Sequence, residues 1–163
     1  MRKELPERLL RELLKNSKRS DRELANVLGV SQPTVTRARH KLEQDGVIQD
    51  YTVVPDLKKM GFELMAIGLV KVRPDAITSE SIAKAKAYAK TLPHAIFSSL
   101  GEGMGMNGVV ISFHKNYTEF HRRMNQFRVA WKDYLDNIDF FIIALGEGEC
   151  KRLSLTYLKD VPP

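Results

Sequence analysis

The chain has 163 residues, 43% hydrophobic and 28% charged, with a mean hydropathy of −0.30, the profile of a soluble globular protein of one domain or two small ones. It contains no run of about 18 apolar residues, which excludes a membrane-spanning helix. Lys and Arg number 26 against 20 Asp and Glu, a net charge of +6 that draws the chain modestly toward nucleic acid or an anionic surface.

That excess is concentrated in the shorter N-terminal part. Residues 1–60 hold 13 basic and 9 acidic side chains; residues 61–163 hold 13 and 11. Met1 to Lys15 alternates charge with leucine and has neither the apolar core nor the cleavage site of a secretory signal. Pro6 suits a first helical turn, and Leu9, Leu10, Leu13 and Leu14 recur at helical spacing until Asn16–Lys18 breaks the pattern. Ser20 followed by Glu23 is a capping box that opens a short helix through Leu24, Ala25, Val27 and Leu28, stopped at Gly29. Ser31 can cap a third helix with Pro33 in its first turn, where the missing N–H costs nothing. Val35, Ala38 and Leu42 form its inward stripe, and Gly46 ends it as a left-handed cap.

Two capped helices around a tight glycine turn make a helix-turn-helix. With Val35, Ala38 and Leu42 inward, the outer face presents Gln32, Thr36, Arg37, His40 and Lys41, with Thr34 and Arg39 on its margins and Ser31 at the cap. Arg can fork onto guanine and Gln onto adenine; Thr can meet a thymine methyl, and Lys neutralises phosphate. From Val47 to Val54 the period changes to 2 and β-branched residues dominate, which reads as a strand or wing. Residues 1–54 are therefore expected to be a winged helix-turn-helix DNA-binding domain, with residues 55–61 as linker.

Residues 62–163 alternate strands and helices. Strands are expected at Phe62–Val72, Ala95–Leu100, Val109–His114 and Ile138–Leu145, with another at Leu153–Leu158. Helices are expected at Ser81–Leu92 and Tyr117–Leu135. The order βαββαβ is the ferredoxin-like arrangement, so the whole reads as α+β. Phe62–Val72 is apolar on both alternating sets of side chains, which implies burial on both faces. In this fold both helices cover one face of the sheet; a second copy of the chain is the economical cover for the other.

The residues Arg22-Glu23-Leu24-Ala25, then Leu28 through Arg37, Lys41-Leu42-Glu43 and Gly46-Val47-Ile48 resemble the DNA-binding half of the Lrp/AsnC (leucine-responsive, "feast/famine") transcription regulators. The βαββαβ segment resembles that family's second domain. The resemblance implies a sequence-specific regulator of double-stranded DNA that acts as a homodimer or ring of dimers, often with an amino acid as effector. Position 38 is Ala where the family's recognition helix often has Arg, and Arg39 takes a place that is usually apolar. The connection from Gly101 to Gly108 is the expected effector loop. Gly101, Gly103 and Gly105 allow close backbone approach to a carboxylate, Glu102 lies among them, and Asn107 stands nearest the family's Asp. The same stretch also reads as a plain hairpin turn.

The rival reading is an enzyme similar to the sirohaem decarboxylases, in which His114 or His121 would act on a tetrapyrrole carboxylate. The basic face of the third helix argues for DNA instead. His114, His121 and Cys150 have no recognised ligand spacing, so no metal and no cofactor is expected. Cys150 is the lone cysteine and cannot close an internal disulfide, which points to a reducing, cytoplasmic compartment.

Overall fold

The computed structural model describes residues 4–161, which form two compact units: residues up to Val54 together with those from Lys151 onward, and Pro55–Cys150. No helix among the described residues is long and apolar enough to cross a membrane.

The first unit is a trihelical core of α1 (Glu4–Lys15), α2 (Asp21–Leu28) and α3 (Gln32–Gln44). Leu9, Leu13, Leu24, Ala25, Leu28, Val35 and Leu42 are buried together, with Ala38 and Ile48 packed against them. The capping box forms as the sequence predicts: the Glu23 N–H donates to Ser20 Oγ, and the Ser20 N–H donates to the Glu23 carboxylate at 2.7 Å. Gly29 and Gly46 both take positive φ, 69° and 70°. At the end of α3 the Gly46 N–H donates to the Glu43 carbonyl and the Val47 N–H to that of Leu42, a paired closure that satisfies two otherwise free carbonyls. Ser31 has the extended backbone of an N-cap, but its hydroxyl bonds Thr34 Oγ1 at 2.8 Å instead of a backbone N–H.

Two expectations are corrected in this unit. Val47–Val54 has no β partner among the described residues, and Val47, Tyr51, Val53 and Val54 are exposed. Its β-branched composition favours an extended backbone, but a strand also needs a ladder to supply its hydrogen bonds. Leu153–Leu158 is likewise no strand: Leu155–Asp160 forms a 3-10 helix against α1, where Arg11 Nη1 donates to the Lys159 carbonyl at 3.1 Å. The residues after Cys150 thus pack with the first unit, outside the ferredoxin-like domain to which the sequence reading assigned them.

The second unit contains β1 (Leu64–Val72), α4 (Ser79–Lys90), β2 (Ala95–Gly103), β3 (Met106–His114), α5 (Tyr117–Ala130) and β4 (Leu135–Ala144). All pairings are antiparallel in the order β2-β3-β1-β4, the ferredoxin-like topology. The α5 helix ends four residues before β4 begins, so the expected Tyr117–Leu135 helix overran. Trp131 to Tyr134 form the turn, in which the buried Trp131 packs edge-on to Tyr88 and Tyr134.

Register assigns the two faces of the sheet. Ala66, Gly68 and Val70 of β1 share a face with Val110, Ser112, Ile138 and Phe140, under α4 and α5. Met65, Ile67 and Leu69 point the other way, with Ile111, Phe141 and Ile143 beside them. No element of the second unit covers the middle of that face; Phe141 is 68% and Phe97 51% exposed.

Candidate nucleic-acid interface

α3 is held by its apolar stripe and its two ends, so the direction of every other side chain follows from helical spacing. Gln32, Arg37, His40 and Lys41 lie exposed on the side away from the core, and Ser31 is exposed at the helix start. Thr34 is half-buried, its hydroxyl engaged with Ser31. This is a polar, basic ridge with few competing intramolecular bonds.

Thr36 and Arg39 are placed differently. Thr36 Oγ1 donates to Asp21 Oδ2 at 2.6 Å, and Arg39 Nε donates to Asp21 Oδ1 at 2.8 Å. Arg39 also reaches the Arg19 carbonyl and the Tyr51 hydroxyl, and its guanidinium lies 5.9 Å from the Tyr51 ring centroid. Its side chain is 16% exposed and that of Asp21 20%. Burial opposes ionisation of Asp21, but the bonds from Thr36 and Arg39 outweigh it and hold the carboxyl below the usual range. Both side chains thus knit α3 to the start of α2, and the outward ridge is narrower than the sequence predicts.

The sequence reading missed Asp21, Glu43 and Tyr51. Tyr51 Oη donates to Glu43 Oε1 at 2.8 Å, and Glu43 Oε2 lies 3.2 Å from His40 Nδ1. One signal pointed to this cluster: an arginine in a usually apolar place needs a counter-charge.

In the second unit, the Gly101–Gly108 stretch is a hairpin and not a free loop. Gly101–Gly103 belong to β2 and Asn107–Gly108 to β3, leaving Met104 and Gly105 as a two-residue turn with φ of 54° and 73°. Positive φ at both positions matches the right-handed twist of the strands that the turn joins. Gly101, Glu102, Gly103 and Gly105 are exposed. The Asn107 amide bonds both backbone groups of Val72, one through its oxygen and one through its nitrogen.

The histidines raised by the enzymatic alternative are separated by burial. His114 is fully buried between His94 and Phe120, with Nε2 2.9 Å from Ser112 Oγ, and cannot meet a bulky tetrapyrrole. His121 is exposed on α5. Among the described residues, no three His, Cys, Asp or Glu side chains are gathered where they could hold a metal ion.

Residues 2–49 match a family model described as winged helix-turn-helix DNA-binding. The chain is 34% identical over 89 residues to the HTH-type transcriptional regulator LrpC of Bacillus subtilis, covering 55% of this chain and 58% of that protein. Across the first curated relatives, the chain spans about half the length of the proteins it matches. The structure of B. subtilis LrpC superposes with a TM-score of 0.68 at 25% identity, over 90% of this chain and 96% of that one. Escherichia coli AsnC shares the fold at a TM-score of 0.71 and 16% identity, over 92% and 96%. A Neisseria meningitidis transcriptional regulator solved as its L-Met complex shares it at 0.73 and 15%, over 93% and 95%. With a helix-turn-helix match at its head and the fold of LrpC and AsnC along nine-tenths of its length, the chain is similar to the Lrp/AsnC-type regulators.

Proposed function

We propose that this protein is a sequence-specific DNA-binding transcription regulator without catalytic activity, working in the cytoplasm as a homodimer or an assembly of dimers. The observation that carries the reading is the division of labour on α3. Thr36 and Arg39 turn inward to Asp21, whereas Gln32, Arg37, His40 and Lys41 stay exposed on one ridge. Arg37 and Gln32 are residue types that read base edges, and Lys41 is one that neutralises phosphate. The helix-free face of the sheet, with Ile67, Phe141 and Ile143, supports two-fold pairing with a second copy, because an apolar surface of that kind is seldom left to water.

An amino-acid-like effector is assigned to the exposed arm Gly101–Gly105. Backbone N–H groups would meet the effector carboxylate there, and Glu102 is the acidic group at hand for its ammonium. Asn107 lies at the base of the arm, its amide engaged with the backbone of Val72. The L-Met complex of the Neisseria regulator supports this class of ligand.

In vitro selection of bound duplexes, read together with the oligomer mass, tests the proposal. An imperfect palindrome with half-sites about 10 base pairs apart, or a multiple of that, is expected. A monomer that enriches no sequence would refute the proposal. A thermal-shift screen of amino acids tests the effector: ligand should raise the melting temperature by mass action. Gly103→Val should abolish that shift in a folded protein, since a Cβ at Gly103 meets nothing within 4 Å.

A further inference from the structure

His40 differs from the other exposed residues of α3 in having a partner that dictates its chemistry. Glu43, one turn on, presents Oε2 3.2 Å from His40 Nδ1, while its other oxygen accepts the Tyr51 hydroxyl at 2.8 Å. Tyr51 is steadied in turn by Arg39, which donates to its oxygen and lies against its ring, and Arg39 is anchored on Asp21. The order of dependence is therefore Asp21, Arg39, Tyr51, Glu43, His40. The chain of contacts starts at a part-buried ion pair and ends on a side chain that is 67% exposed.

A carboxylate only accepts hydrogen bonds. A neutral imidazole bonded to Glu43 through Nδ1 must carry its proton on that nitrogen, which leaves Nε2 as a bare acceptor. Nε2 has no hydrogen-bond partner among the described residues. In the major groove the hydrogen-bond donors on base edges are the amino groups of adenine and cytosine; guanine and thymine present acceptors at the matching places. An acceptor held on the exposed ridge thus discriminates between two pairs of bases.

We propose that Glu43 and Tyr51 are positioning residues that hold His40 in its Nδ1–H tautomer, making His40 a specificity-determining acceptor for the amino group of adenine or cytosine. The proposal rests on the DNA-binding reading above for its ligand. The tautomer itself is a property of the free protein.

Two measurements on the full chain test it. Long-range 1H–15N correlation of the histidine rings, with His40→Gln assigning the signals, should place the proton on Nδ1 in the wild type. Glu43→Ala should move it to Nε2, and Tyr51→Phe should shift it part of the way. Selection of bound duplexes should return adenine or cytosine at one position of each half-site. Glu43→Ala and His40→Ala should each weaken that preference about fivefold, the worth of one hydrogen bond, and leave the other positions unchanged. A purely structural role for Glu43 would lower affinity at every position alike. An Nε2–H ring in the wild type would overturn the proposal, as would an unaltered base preference in Glu43→Ala. Failure to select any DNA would remove the base-reading and the DNA-binding reading together, while the nitrogen shifts still decide the relay.

Discussion

Asn107 holds Val72 by both of its backbone groups: the Val72 N–H donates to Oδ1 at 2.7 Å, and Nδ2 donates to the Val72 carbonyl at 2.8 Å. The β1–β3 pairing stops at Val70↔Gly108, and β1 shifts register against β4 between Lys71 and Val72. The side-chain amide continues the ladder where backbone pairing ends. Asn107→Asp keeps the acceptor, loses the donor and sets a carboxylate oxygen against a carbonyl. It should destabilise the second unit by about 1–3 kcal/mol. Urea denaturation followed by fluorescence of the lone Trp131, buried in that unit, measures the loss.

The two kinds of arginine on α3 should separate by assay. Arg37→Ala should leave folding intact and weaken specific DNA binding by about 1–3 kcal/mol, and Lys41→Ala should make the salt dependence shallower by about one unit. Arg39→Ala instead strands the Asp21 carboxylate and should lower the stability of the first unit by about 1–3 kcal/mol, read from circular dichroism melts. Because the folded state depresses the Asp21 carboxyl, that stabilisation is present above its unfolded value and disappears as pH falls through the folded one.

Acid should weaken the second unit through His94 and His114. Burial is the main cause of their depressed pKa values, with Arg123 and His114 adding positive charge around His94 and Glu119 partly opposing, so that His94 falls to about 4. Between about 4 and the ordinary histidine value of 6.5 the unfolded chain binds the extra proton. Stability is therefore complete above this window and declines as pH drops through it, by up to about 1.4 kcal/mol per pH unit for one histidine. Urea midpoints across that range should trace the slope, and His94→Gln should flatten it. An unchanged slope in that variant would assign the acid sensitivity to His114 or to carboxylates.

Gly68 sits at the centre of the helix-covered face, opposite Val110 on one side and Phe140 on the other. A Cβ there would lie 2.7 Å from Val110 Cγ1 and 2.9 Å from Phe140 Cε1. Gly68→Ala should cost about 1–3 kcal/mol by overpacking, because Val110 is stiff at χ1 and Phe140 is wedged against Phe120. Shortening the neighbour in Gly68→Ala/Val110→Ala should recover part of the loss.

Ile67 and Ile143 both lie on the helix-free face, so a charge at either should spare the fold and act on assembly. Ile67→Glu would bury an unpaired carboxylate in a two-fold interface. Light scattering should report a shift toward monomer, and footprints should shrink to a half-site. A wild-type monomer at micromolar concentration would defeat this prediction.

Local signals in the chain were sufficient for much of this molecule. The capping box of Ser20 and Glu23, the left-handed glycines 29 and 46, and the leucine stripe of α1 act over one or two turns, so their partners are close in sequence. The βαββαβ order was legible for the same reason, since strand and helix periods differ within each segment. Tertiary structure decided where partners lie far apart or where two environments suit one pattern. Val47–Val54 has the composition of a strand, but only the fold determines whether another strand is there to pair with it. Thr36 and Arg39 have the residue types of DNA contacts, yet Asp21, fifteen and eighteen positions earlier, draws both inward. Asn107 reads in the sequence as a ligand group alone, and the return of β3 brings its amide to the backbone of Val72, thirty-five residues before it. A polar side chain takes the nearest unsatisfied partner in space, and sequence order does not disclose which one that is.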